Sequence, residues 1–500
     1  MTNRKRGVGK DTEVIESDNP RPIICWFRRD LRVRDNPALF HAASTGLPVI
    51  PIFIVDTELI EGIKSDGAVF DFQAECLQDL ATNIEEIGGR LIVRTGTLTD
   101  VFSTIIGETH PRAVYFDRDY EPSAMARDLA ATKFLSGYDI DVKSFDDVTI
   151  HHPEDIKTSN GGPYAVFSPF AARWRKLPKP KPLGKPSRFT TPRLSSEPIP
   201  GGEELGRERL IVSPIVRGGE KNASNRWNSF LRERLLSYAD ARDLPQVHGT
   251  SKMSPYLRFG CISPVRMYWD LAELSLNASE RMSASTEKLL SEMIWREFYT
   301  HVLYHFPYTA ERNFRNQFDL LKWAFDERAF KAWKEGRTGF PLVDAGMRQL
   351  NATGWMHNRV RMVTASFLTK DLFIDWRHGE MYFATKLLDI EKASNVGGWQ
   401  WSASTGVDPR PLRIFNPVIQ SRRFDPEGIY IKEWVPELRK VPPKYVHEPA
   451  RMSPALQEET GVVPGKDYPL PIVDHRAAAE YFKGEYAKAK AGHRPSKLSR

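Results

Sequence analysis

Cysteine is scarce in this 500-residue chain: only Cys25, Cys76 and Cys261 occur, and none stands at a paired spacing. That argues against a disulfide scaffold and against a zinc site, and it suits a reducing compartment; no metal is expected. Long apolar runs are missing too. No stretch reaches 18 apolar residues, so no membrane span is expected. The N-terminus is polar and charged and lacks the apolar region of a secretion signal. The strand-like run Ile23–Phe27 is not followed by a G-x-G-x-x-G turn but runs into Arg28-Arg29-Asp30-Leu31-Arg32, which makes a standard dinucleotide-binding domain an unsuitable reading. A cytoplasmic protein without a membrane anchor is the expectation these absences leave.

What the chain does have is tryptophan and a modest excess of base. Twelve Trp are many. A buried indole needs a partner for its N–H, so surplus Trp points to stacking or redox work as well as to packing. The net charge is +7 and the pI near 9.1, which fits a polyanion partner without requiring one. Much of the excess stands in Arg4, Lys5, Arg6 and Lys10 and in Lys488, Lys490, Arg494, Lys497 and Arg500. A hydrophobic share of 41% and a charged share of 27% are ordinary for a globular protein. The length is enough for two or three cores.

Strand-like runs at 23–27, 49–55, 90–94, 113–117 and 140–145 alternate with helical spacing at 68–88, 98–107 and 122–136. Such alternation predicts a doubly wound, parallel, five-stranded α/β domain over 21–150, after an N-terminal tail over 1–20. Residues 176–202 (KLPKPKPLGKPSRFTTPRLSSEPIPGG) are rich in Lys, Pro, Ser and Gly; Pro removes donors and blocks helices, so they read as extended chain within an inter-domain connector over 151–223. Helical spacing returns at 224–238, 263–277, 285–304, 327–335, 341–352, 357–374 and 378–388. An all-helical domain is therefore expected over 224–485, followed by a basic tail over 486–500.

Residues 353–401 carry the chemistry. They hold four Trp among Arg359, Arg361, Asp389, Glu391 and Asn395, a mixture suited to a large polar aromatic cofactor and to electron movement, where a plain core would bury Trp without the charges. A buried Arg361 keeps its cost low only when paired, and Asp389 is the candidate partner; two helices joined by a structural ion pair would look the same. The string 249–263, GTSKMSPYLRFGCIS, puts small hydroxyls before a helix, which suits either a phosphate or simple N-caps. On 292–299, EMIWREFY, helical spacing places Glu292, Trp295 and Arg296 on one face, as a pocket wall or as an exposed charged face.

The stretch closely resembles the flavin-binding core of the DNA photolyase/cryptochrome family. Met356-His357-Asn358-Arg359 is similar to the class I branch that repairs cyclobutane pyrimidine dimers, and the likeness runs from Cys25 to about Glu448. The resemblance implies one non-covalent FAD in the all-helical domain. Tyr238 and Thr250, Ser251, Lys252, Met253 and Ser254 would meet its pyrophosphate end, and Arg361, Asp389, Ile390, Glu391 and Asn395 its ring, together with Glu292, Arg296 and Asn358. Asp389-Ile390-Glu391 departs from the family's more usual Asp-Gly-Asp, and Leu289 stands where some relatives carry a longer side chain. Trp323, Trp376 and Trp399 match three tryptophans that relay electrons from the surface; singly, each reads as core. Trp295, Trp401 and Met362 would wall a lesion pocket, with Glu292, Arg296 and Asn358 as its polar contacts and Arg242, Arg359, Arg413 and Gln420 toward the DNA backbone. The implied activity is light-driven repair of pyrimidine dimers in UV-damaged DNA by electron transfer from reduced FAD to the flipped-out lesion. A monomer without an obligate protein partner is expected, with methenyltetrahydrofolate or a deazaflavin as an antenna near Arg28–Arg32 and Asp117–Glu121. A (6-4) photolyase, a cryptochrome photoreceptor and a non-enzymatic nucleic-acid module stand as alternatives.

Overall fold

β-Branched and aromatic runs build the first layer of the computed structural model, which describes residues 20–62, 64–276, 278–407 and 412–492. β1 (Ile23–Phe27), β2 (Val49–Asp56), β3 (Ile92–Gly96), β4 (Ala113–Asp117) and β5 (Asp141–Phe145) form one parallel sheet in the order β3-β2-β1-β4-β5. Central β1 is buried on both faces and pairs β2 from Ile23↔Val49 and β4 from Ile23↔Ala113. The order reverses between β1 and β4. A doubly wound sheet opens a crevice at the carboxyl ends of those strands, and here the helical half fills it.

The expected connector is more structured than its composition suggests. Residues Phe167–Lys176 form a helix whose Phe170 and Trp174 are fully buried against the helix Glu280–His305. The Pro-rich chain beyond is extended, as expected, but tied down. Glu197 donates to the Val93 carbonyl at 3.0 Å, so the strap covers the free edge of β3. Ser213 and Ile215 then donate to Ala352 and Thr353 of the helical half at 3.2 and 3.1 Å.

Several predicted helix boundaries shift. The single helix expected over 357–374 is the helix Asn358–Ser366 followed by a wide π turn, Phe367–Asp371. The helix Lys392–Ala403 was not foreseen. The expected tail over 486–500 begins inside the helix His475–Gly492, whose Tyr486 and Ala489 are buried. Residues 1–19 of the expected N-terminal tail and 493–500 lie outside the described residues. No helix among the described residues is long and apolar enough to cross a membrane.

The two halves share one apolar cluster, in which Cys25, Phe27 and Phe72 join Tyr256, Phe259 and Phe298. Around it the backbones interlock. Leu31 donates to the Phe259 carbonyl at 3.0 Å, and Arg32 Nη1 to the Gly260 carbonyl at 3.0 Å. Asp66 donates from its backbone to Thr385 at 2.8 Å and accepts Lys386 Nζ at 3.1 Å. Gly260 has φ +66°, and a Cβ there would lie 1.9 Å from the Arg29 carbonyl oxygen, a collision of backbone with backbone that no rotamer relieves. Gly260→Ala is therefore expected to destabilise the protein by about 3 kcal/mol or more. Gly107→Ala, in open space, should stay within about 0.5 kcal/mol of the parent or stabilise slightly. Thermal unfolding followed by circular dichroism distinguishes the two.

Candidate active site

Three helices turn the same stripe of positions toward one cavity of about 780 Å³. The helix Glu280–His305 offers Glu292, Trp295, Arg296 and Tyr299; Asn358–Ser366 offers Asn358, Arg361, Met362 and Ala365; Lys392–Ala403 offers Asn395, Gly398, Trp399 and Ser402. Each set follows i, i+3, i+4, i+7, one face of a helix. Tyr238, the loop 250–254 and the segment 389–391 add further walls. The volume falls within the roughly 300–1,000 Å³ of cofactor and ligand sites.

The inner wall is polar and mostly satisfied within the protein. Asp389 Oδ2 accepts from Arg361 Nη2 at 2.8 Å and from Ser254 Oγ at 2.6 Å. Ser254 thus bonds Asp389, and the helix it opens, Ser254–Arg258, has no side-chain cap; the simple N-cap alternative does not hold there. The Asn395 amide donates to Glu380 Oε1 at 2.9 Å and to the Glu380 carbonyl at 3.1 Å, and Lys392 Nζ reaches the same carboxylate at 3.1 Å. That assignment leaves the amide oxygen of Asn395 to serve the cavity. Lys252 has left-handed backbone (φ 54°) and an ammonium 5.2 Å from the centre of the Trp355 ring. Burial, then Arg226 and Arg234, pulls its pKa down to about 8.

Glu391 and Arg296, expected beside the cofactor, also tie the two halves together. Glu391 Oε1 accepts from Arg296 Nη2 at 2.7 Å and from Arg29 Nη2, of the α/β half, at 2.9 Å. Arg29 also donates to Asp119 at 3.1 Å and to Glu121 at 3.0 Å. Burial alone would raise the Glu391 carboxyl, but Arg296, Arg29 and Arg258 overcome it and hold the pKa below its usual value. Both side chains line the cavity while their charges are engaged in this cluster. Arg28–Arg32 and Asp117–Glu121, expected beside an antenna, are likewise tied into pairs: Arg28 with Asp128, Arg29 with Asp119, Arg32 with Asp147.

Exposed Asn358, Ser168 and Arg413 mark the cavity mouth. Trp295 stacks face to face on Phe167, with ring centres 3.7 Å apart and planes 4° from parallel, and half-buried Trp401 carries the Arg413 guanidinium 5.2 Å from its ring centre. Here the sequence expectation needs correction. Glu292 is not enclosed between the two tryptophans: its side chain is 35% exposed and accepts from Arg242 Nη1 at 2.6 Å. Arg359 is not open to solvent as a free phosphate contact but donates to Asp243 at 2.9 Å. Gln420 sits half-buried on the helix Pro417–Phe424 and does not line the cavity.

Trp399 lines the cavity and is buried; its ring presses on Gly379, where a Cβ would lie 2.1 Å away. Gly379 stands one turn along the helix that Trp376 begins. Trp376 is fully buried, with its N–H on Asn313 Oδ1 at 2.9 Å. Trp323 is half-buried, beside Phe373 at 5.2 Å, and Ala324 donates to the Phe373 carbonyl at 3.0 Å. The three indoles thus run from the cavity wall to partly exposed surface.

Sequence reasoning missed Phe167, Asp243, Glu380 and Lys392. The spacing of Phe167, Phe170 and Trp174 was a readable helical signal inside the supposed connector. Nothing local marked the other three, whose partners are distant in sequence or on elements that were not predicted.

The family model described as DNA photolyase matches residues 23–187, and the one described as FAD binding domain of DNA photolyase matches 289–488. A deoxyribodipyrimidine photo-lyase of Agrobacterium fabrum is 40% identical over 487 residues, covering 94% of this chain and 98% of the relative. The chain belongs to the DNA photolyase/cryptochrome family. Among solved structures, a bacterial class III photolyase from Agrobacterium tumefaciens superposes with TM-score 0.88 at 38% identity, covering 96% of this chain and all of that one. A cryptochrome from Synechocystis gives TM-score 0.86 at 30% identity, covering 93% and 99%. The subclass named for the first of these structures is III, where the sequence motif resembled class I.

The helical half of this photolyase-family protein is an FAD-binding domain. The cavity suits such a cofactor: Asp389 Oδ1 is buried at its wall with no protein partner, an acceptor waiting for an N–H. Lys252 gives a test of the other end. An anion docked at the loop 250–254 favours the charged lysine and raises its pKa from about 8. Flavin affinity is then full below that pKa and falls as pH rises through it, until the pKa of the bound state is passed. Titrating flavin-free protein with FAD from neutral pH to about pH 10 should show this fall, and Lys252→Met should bind more weakly with little pH dependence.

Proposed function

We propose that this protein splits cyclobutane pyrimidine dimers in UV-damaged DNA, using light and bound reduced FAD. The observation that carries the reading is one cavity that combines a polar inner wall, Asp389, Arg361 and Asn395, with a mouth flanked by Trp295, Trp401 and Met362. Held by Asp389, Arg361 and Asn395, reduced FAD would supply one electron to the dimer under light and take it back after the two bonds joining the bases break, so the reaction would be redox-neutral overall.

The protein's own groups do the rest. A dimer inside a duplex must be flipped out to reach such a cavity. Trp295 and Trp401 offer flat apolar faces to the unstacked bases, worth about 1–3 kcal/mol per stacked base, and the stack on Phe167 fixes the plane of Trp295. Asn358 at the rim and the Glu292 carboxylate supply hydrogen bonds that replace water on the lesion's polar edge. Arg413 serves the backbone phosphates from the rim, while Arg242 and Arg359 reach them only on giving up their carboxylate partners Glu292 and Asp243. Trp399, Trp376 and Trp323 carry electrons inward to recharge an oxidised cofactor. An antenna pigment, a folate or a deazaflavin, completes the reading, which sets the protein in the cytoplasm with the DNA.

The (6-4) alternative needs a histidine acid at the lesion. His357 is 2% exposed, accepts from the Arg359 N–H through Nδ1 at 3.2 Å, and burial pulls its pKa down to about 4. That disfavours a proton-donating role near neutral pH. A cryptochrome photoreceptor is the second reading, favoured by the likeness to the Synechocystis protein.

UV-irradiated oligo-thymidine incubated with reduced protein should lose its dimers in the light and keep them in the dark; equal dimer content in both arms would support the photoreceptor instead. Trp399→Phe should block light-driven reduction of the oxidised flavin, read by absorbance, while chemically reduced variant still repairs. Normal photoreduction in that variant would remove Trp399 from the relay.

A further inference from the structure

Four charged side chains form a ladder of alternating sign along the cavity mouth. Glu292 accepts from Arg242 Nη1 at 2.6 Å; Arg242 Nε lies 3.9 Å from Asp243 Oδ1; the same Asp243 oxygen accepts from Arg359 Nη2 at 2.9 Å. The arginines are 18% and 19% exposed and the carboxylates 35% and 38%, so the acids face solvent more than the bases do. Arg359 cannot easily swing away. Its guanidinium lies 4.4 Å from the centre of the Phe424 ring, and its Nε is buried without a partner.

A phosphate approaching Arg359 therefore meets a carboxylate already on that guanidinium. Regular duplex DNA puts nothing into the cavity, so it gains nothing to offset this repulsion. A flipped lesion does. When its N–H groups turn the Glu292 carboxylate into the cavity and away from Arg242, Arg242 loses its closest acceptor. Asp243 is the next acceptor along, already 3.9 Å away. Arg242 can take Asp243, and Arg359 is then released to a phosphate. No proton moves and no bond breaks; the ladder shifts by one partner.

We infer that Asp243 is a specificity-determining residue, a carboxylate that keeps Arg359 from the DNA backbone until a lesion occupies Glu292. The inference rests on the proposed reading of this mouth as the DNA entrance. It differs from a general phosphate clamp, because it makes the backbone contact conditional on the lesion.

The test is Asp243→Asn, assayed as flavin-loaded protein on paired oligonucleotides with and without a single thymine dimer, across a range of salt. Undamaged DNA should bind on the order of tenfold tighter than to the parent, with a salt slope steeper by roughly 0.9, one added phosphate contact. Damaged DNA should change by less than about twofold, because its Arg359 contact already exists, so the preference for damage falls on the order of tenfold. Asp243→Glu keeps the charge and should retain most of the preference. An unchanged preference in Asp243→Asn overturns the inference, whether both affinities stay, rise together or fall together; a joint fall would make Asp243 a support for Arg359. The parent protein is illuminated on the same damaged substrate. If it repairs while Asp243→Asn keeps its preference, the ladder fails alone; if it does not repair, the reading of the mouth fails first.

Discussion

Glu391 stands where both halves of the protein meet, its carboxylate held at 2.9 Å by Arg29 of the α/β half and at 2.7 Å by Arg296 of the long helix. Arg258 adds positive charge nearby, and Asp119 and Glu121 answer Arg29 from the other side. Three bases and three acids balance in a buried space. Such a cluster contributes little net stability compared with apolar packing, but losing one member strands its partners at about 3–5 kcal/mol. Its value is positional. The cluster fixes the segment 389–391, the start of the helix Lys392–Ala403 and the Arg296 face of the helix Glu280–His305 relative to the sheet. Asp389, Asn395, Trp295 and Trp399 therefore inherit their places from it.

From that anchor the site becomes graded in polarity. The inner wall carries Asp389 with Arg361 and Asn395 with Glu380, so a polar edge finds partners there. The apolar part of the lining includes Ala365, Phe383 and Trp399. At the mouth the charge returns, but paired. The modest basic excess of the chain is not concentrated in this opening, since Arg242 and Arg359 are matched there by Glu292 and Asp243. A basic sequence and a mouth in which Arg242 and Arg359 are paired are compatible, and the pairing limits indiscriminate attraction of nucleic acid.

Much of the fold was legible locally. The strands β1, β2 and β4 showed themselves by continuous apolar composition, because a doubly wound sheet buries both faces of its central strands. The helices Glu327–Glu335 and Pro341–Thr353 were readable from clear periodicity. The helix Lys392–Ala403 was not, because KASNVGGWQWSA holds two adjacent glycines, each costing about 1 kcal/mol in a helix. Tertiary contact overrides that cost. Gly397 sits under the Tyr299 ring, where a Cβ would lie 2.2 Å away, and Gly398 faces the cavity. The candidate site residues gathered largely as a set, since the family's motif supplied them together. Their partners were hidden: Arg29 and Glu391 are 362 positions apart, and no local pattern signals such a pair. Assigning Arg359, Arg242 and Glu292 to DNA from the motif alone overlooked Asp243 and the pairing of Arg242 with Glu292, contacts made only in three dimensions.

One inter-domain carboxylate sets the geometry of the cofactor cavity. Glu391→Gln keeps the shape and removes the charge, leaving Arg29 and Arg296 without it; Glu292→Gln makes the same change at the rim. Flavin content per chain, read by absorbance after gel filtration, is the direct measure. The account predicts that Glu391→Gln loses most of its flavin and that Glu292→Gln retains it. Full flavin occupancy in Glu391→Gln, with an unaltered flavin spectrum, would contradict it.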